Sequence, residues 1–194
     1  MSKWDWDSEV NELELGYESI ACGKYLFQIE EGIKLSEGQD SSGEKTGSVQ
    51  IMIPFQAVET KDDSLKDQVG KKISMFQNLI KKDGNANVMG ERMVINVLKL
   101  AGVGGYMSGK IDDSDFIASD KVMNEICKCL PGRLVIADIE MGKGANGTPR
   151  PEIKRFKSYP KQPAYKAGPG AAIGAGKSAP VKTSASNAHD DEWA

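Results

Sequence analysis

The sequence predicts a mainly β fold with inserted helices, an α+β arrangement in one domain, followed by a disordered C-terminal tail. Three observations predict it. Period-two alternation marks three early segments, helical spacing takes over near residue 89, and beyond Pro160 the composition shifts to Ala, Gly, Pro, Ser and Lys. With 194 residues, 39% hydrophobic and 27% charged, the chain holds one sizeable core plus a tail.

Residues 1–22 read as an acidic arm: Asp5, Asp7, Glu9, Glu12, Glu14 and Glu18 stand against Lys3, with Trp4 and Trp6 as an aromatic anchor. Residues 23–160 form the expected domain. A first strand runs from Gly23 to about Lys34, because Tyr25, Phe27 and Ile29 alternate with Leu26, Gln28 and Glu30. Ser36 to Gly47 is loop chemistry. Val49, Ile51, Ile53 and Phe55 then alternate as a second strand, and Pro54, which lacks a donor, places that strand at an edge or a bulge. After a charged turn, Ile73 and Met75 alternate with Lys72, Ser74 and Phe76 as a third.

The period then changes. Met89, Met93, Val94, Val97, Leu98 and Ala101 fall at helical spacing with Gly102 as the stop. Ser119 caps a second helix whose Val122, Ile126 and Leu130 share a face before Pro131 and Gly132. A fourth strand from Leu134 to Glu140 and a fifth from Glu152 to Tyr159 flank a Gly-rich hairpin loop. Three strands, helices and a hairpin are the layout of a five-stranded, OB-like Greek-key barrel with helices between strands three and four. Residues 161–194 carry too few large apolar groups to repay the entropy of folding and read as linker, ending in Asp190, Asp191, Glu192 and Trp193.

Several function classes lose ground on context. The odd cysteine set, Cys22, Cys127 and Cys129, and the lack of a leader pattern point to a reducing, cytoplasmic setting. No run reaches the roughly 20 apolar residues that cross a bilayer, so no membrane role is expected. Gly142, Gly144 and Gly147 match a dinucleotide fingerprint but lead into Thr148, Pro149 and a strand instead of a helix N-terminus. Ala171 to Ser178, AAIGAGKS, matches a loose phosphate loop with only linker after it. Cys127 and Cys129 lack zinc-knuckle spacing, and Asp112, Asp113 and Asp115 read as a solvated turn. No cofactor, metal or catalytic constellation is expected.

The net charge of −3 hides a local excess of the opposite sign. Between Met141 and Lys166, Lys143, Arg150, Lys154, Arg155, Lys157, Lys161 and Lys166 face only Glu152. Each can neutralise a phosphate and release counterions; a solvated edge strand is the alternative, since lysines also blunt edge pairing. Phe156 shares parity with Lys154, and Phe76 with Lys72, so each ring is either a stacking platform on a polar face or core. The expected nucleic-acid-binding set is Lys71, Lys72, Phe76, Lys143, Arg150, Lys154, Arg155, Phe156, Lys157 and Tyr159.

The opening WDW, the strand GKYLFQIEEGIK, the segments GSVQIMIPFQAVE, ERMVINVLKLAGV and GRLVIADIEMG, and PEIKRFKSY resemble small phage OB-fold single-stranded DNA-binding proteins of the replication region. The likeness spans roughly residues 3 to 160. Asp190, Asp191, Glu192 and Trp193 resemble the acidic tips of bacterial and phage single-stranded DNA-binding proteins, though this one ends in Trp193-Ala194 where the bacterial tip ends in Pro-Phe. The resemblance implies a non-enzymatic role in replication or recombination in the infected host's cytoplasm. It also implies cooperative or homo-oligomeric binding, and partner proteins recruited by the tip. The rivals are a protein-interaction module that uses the barrel without DNA, and a nucleotide-using enzyme built on the loose phosphate loop.

Overall fold

The alternation of Tyr25, Phe27 and Ile29 becomes strand β1 (Gly23–Ile29). The computed structural model describes residues 19–39, 44–112, 115–143 and 147–166. The expected single first strand is broken: residues 30–33 leave the ladder and the chain resumes as β2 (Lys34–Gln39), inside a stretch whose composition marks it as loop. β3 (Lys45–Glu59) is long enough to pair with both in succession. Lys34 lies opposite Met52 and Ile29 opposite Phe55, while β4 (Lys72–Ile80) pairs along the other edge of β3. The described residues therefore hold six strands, not five, and β2 and β3 take up both ends of the Ser36–Gly47 stretch expected as loop.

Pro54 lies in the middle of a strand paired on both sides, not at a sheet edge. Its carbonyl accepts the Glu30 N–H at 2.9 Å. In an antiparallel ladder a residue's N–H and C=O point to the same neighbour, so the missing donor faces the break between β1 and β2. The interruption that the proline requires is in the partner strand.

After β3 a 3-10 turn (Asp63–Gln68) is capped by Asp62, whose carboxylate accepts the Ser64 N–H at 2.9 Å. Gln68, buried, accepts the Ala21 N–H at 3.0 Å and so holds the approach to β1, where Ile20 already lies in the core. Helix α1 (Val88–Leu100) buries Val94, Val97 and Leu98. Met89 and Met93, expected on the same face, are 72% and 40% exposed. Gly102, at φ +73°, ends the helix in a conformation that favours glycine. A short α2 (Gly104–Ser108) follows, then α3 (Asp120–Cys129), capped as expected by the Ser119 hydroxyl on Val122 N–H, with Val122, Ile126 and Leu130 buried.

β5 (Leu134–Lys143) pairs with β1, and β6 (Pro149–Ser158) pairs with β5, all antiparallel. The ladder thus runs β4–β3–β1–β5–β6, with β2 prolonging the line of β1, and it curls so that β4 and β6 face one another. Inside the curl Tyr25, Phe27, Ile51, Ile53, Phe55, Val135, Ala137 and Ile139 meet the buried faces of α1 and α3 in one apolar cluster. Phe27 and Phe55 pack edge to face at 6.1 Å.

The chain after Pro160, expected to be linker from residue 161, stays on the body as far as Tyr165. The Gln162 side chain accepts the Leu134 N–H at 2.6 Å and donates to the carbonyls of Leu134 and Ala101, so it pairs β5 as a neighbouring strand would. Arg133 donates to the carbonyls of Ala101 and Pro163. Tyr165 closes the strap with its N–H on Gly102 O and its ring 4.9 Å from Tyr106. A few side chains suffice here, which is why composition did not show it. The arm up to Glu18, Ala171 to Ser178, and Asp190 to Trp193 lie outside the described residues. Among the described residues no helix is long and apolar enough to cross a membrane.

Candidate nucleic-acid interface

Where β4 and β6 face each other, a cleft of about 250 Å³ opens, walled by residues 74–77, residues 150–154 with Phe156, and Met93 of α1. It brings together four of the ten expected residues: Phe76, Arg150, Lys154 and Phe156. The two rings differ in character. Phe76 is 51% exposed, on the outer side of β4 opposite Met52. Phe156 is half-buried, its ring 5.6 Å from that of Phe55, so it belongs to the core wall and shows the cleft only part of its surface.

The cations are less free than the run of sequence implies. Glu152 takes both Arg150, with Nε 3.2 Å from Oε1, and Lys154, with Nζ 2.8 Å from Oε2. These bonds, Lys154 first, hold the Glu152 carboxyl below the ordinary glutamate range. Arg155 lies outside the cleft lining and pairs with Asp138 at 3.5 Å and Glu140 at 3.1 Å, acids that sit across the β5–β6 ladder. Lys72 pairs with Glu30 at 2.6 Å.

The remaining expected residues are not brought to the cleft. Lys143 and Lys157 are exposed, Lys157 opposite Ile136 on the outer face of β5. Tyr159 packs with Val58 and Leu134 on a small outer cluster around Leu26 and Ile136. Lys71 starts the approach to β4 and lies outside the cleft lining.

Three residues that sequence reasoning missed belong to this surface. Lys34, exposed, stands in the row Lys34–Met52–Phe76 across β2, β3 and β4, roughly 10 Å from the ring at ordinary strand spacing. Met93 adds an exposed, adaptable apolar side chain at the cleft's rim. Glu152 is the third. Only the register reveals Lys34, because its neighbours lie far off in sequence.

Among the described residues, the dinucleotide-type glycine run is not followed by a helix N-terminus. Gly142 is the penultimate residue of β5, and Pro149 opens β6, so the glycine run joins two strands. Asp115 accepts the Asp112 N–H at 2.8 Å and Lys121 Nζ at 2.6 Å, which closes a turn before α3. Cys129 is buried, and burial pushes its thiol up to about 12; Cys127 is exposed. No family model matches the chain, and no curated protein matches it.

Proposed function

We propose that the curled sheet is an OB-like barrel and that the protein binds single-stranded DNA without sequence preference. On that reading β1 and β2 together form the barrel's bent first strand, β3 and β4 the second and third, the helices the insertion, and β5 and β6 the fourth and fifth. One observation carries the proposal: a cleft at the seam of the curl combines an exposed aromatic ring, Phe76, with two cations, Arg150 and Lys154. A ring of this kind stacks any base, and cations beside it track the backbone, so affinity comes without base readout.

Phe76 is the stacking platform and Lys34, Arg150 and Lys154 are the phosphate contacts. No chemistry is performed on the strand. The segment Asp190–Trp193, outside the described residues, is proposed to recruit replication or recombination proteins, with the tryptophan as anchor and the acids as orienting charges. Ultraviolet crosslinking to oligo-dT followed by peptide mapping tests the placement. Adducts on Phe76 or within Pro149–Ser158 are expected, and adducts confined to other segments would move the site.

A further inference from the structure

Glu152 is held from three sides. Arg150 and Lys154 grip its two oxygens, and Gly142 on the neighbouring strand lies directly beneath the carboxylate, where any Cβ would overlap the carboxyl group. Lys154 reaches this point because it is the extra residue of a bulge: the register steps from Ile139 opposite Ile153 to Asp138 opposite Arg155 and skips it. A carboxylate that bridges a guanidinium and an ammonium imitates two non-bridging oxygens of a phosphate in charge and spacing. The two cleft cations are thus already occupied by an anion supplied from within the chain.

We infer that Glu152 is a built-in stand-in for a nucleic-acid phosphate, which a phosphodiester must displace from Arg150 and Lys154 to occupy the cleft. The inference rests on the single-strand reading above. It assigns Glu152 a specific effect: the carboxylate lowers affinity and speeds release, because it returns to the cations as the strand leaves and opposes the strand while it is bound.

Two variants release the cations by different routes. Glu152→Gln removes the charge; Gly142→Ala keeps it but forces the flexible carboxylate aside. Asp63→Asn is the charge-matched control, since Asp63 also pairs with a lysine, Lys66 at 2.6 Å, and lies in the 3-10 turn outside the cleft lining. Thermal melting first establishes that each is folded, and the two routes let either decide if the other does not fold. Titration with labelled oligo-dT at low salt should show Glu152→Gln binding roughly 5-fold or more tighter than Asp63→Asn, with Gly142→Ala shifted in the same direction. The salt slope should steepen by up to about 0.7, because one carboxylate charge fewer leaves one more cation to exchange its counterion for a phosphate.

If the wild type binds but Glu152→Gln is no tighter than Asp63→Asn, the stand-in is overturned while single-strand binding survives. Weaker binding by Glu152→Gln overturns it as well, and an equal gain for a matched duplex overturns the assignment to a single strand's phosphate. If no form binds the oligonucleotide, the reading of the cleft fails and the inference falls with it.

Discussion

The ring of Phe156 lies 5.6 Å from that of Phe55 at a 37° tilt, with Phe55 fully buried behind it. This contact separates two phenylalanines that face the same cleft and look alike in sequence. Phe156→Ala should lose about 3 kcal/mol of stability, the low end for a buried ring. Phe76→Ala should change stability by no more than ~0.5 kcal/mol, as surface substitutions do, and weaken oligo-dT binding by ~1 kcal/mol or more. Melting and titration on the same two proteins check this; a large melting loss in Phe76→Ala would place that ring in the core instead.

Charge removal should divide along the ladder. Arg150→Ala with Lys154→Ala should weaken binding and lower the log-log salt slope by up to about 1.4, since ~0.7 attaches to each single-strand phosphate contact. Arg155→Ala should do far less, because Arg155 lies outside the cleft lining and is already paired with Asp138 and Glu140. Salt titrations of both variants decide it, and equal slopes would mean that Arg155 contributes as much as the cleft cations.

This division shows what the sequence made legible and what it did not. Alternation marks β1, β3, β4 and β5, where the pleat fixes a side-chain period of two, and β6 follows from the Gly-rich hairpin loop before it. β2 escaped because an outlying strand of Lys, Ser, Glu and Gly has the composition of a loop, and only its partner, residues 45–52 of β3, makes it a strand. The basic excess was counted in a window beginning at Met141, whereas antiparallel pairing sets Asp138 against Arg155 from outside that window. The four residues gathered at the cleft were among those expected; their division into platform, core wall and occupied cations depends on register.

The strap sets a boundary for truncation. Ending the chain after Lys166 should leave the melting temperature nearly unchanged, whereas ending it after Pro160 removes the Gln162 and Tyr165 contacts and should lower it. Gln162→Ala alone should cost ~1–3 kcal/mol, because the Leu134 N–H and C=O lose their bonds to it, while the Ala101 carbonyl keeps Arg133. Thermal denaturation of the three proteins tests this. Identical melting of the two truncations would show that the strap contributes nothing.

Tyr106 donates to Glu125 Oε2 at 2.5 Å, and this bond, with burial behind it, raises the phenol to about 12. An unfolded tyrosine ionises near the ordinary value of about 10. The bond therefore contributes fully below that pH, and its contribution is lost as pH rises through 12, since the unfolded chain then binds fewer protons than the folded one. Denaturant melts from pH 9 to 11 should show stability falling, and Tyr106→Phe should flatten that fall. A slope unchanged by the substitution would remove the Tyr106–Glu125 bond as its source.

The most direct test of the account is a fluorescence anisotropy titration with labelled oligo-dT and a matching duplex, each at low and at moderate salt. The account predicts saturable binding of the single strand at low salt, clearly weaker binding of the duplex, and a loss of affinity as salt rises. No binding of the single strand at low salt, or equal binding of both forms, would contradict it.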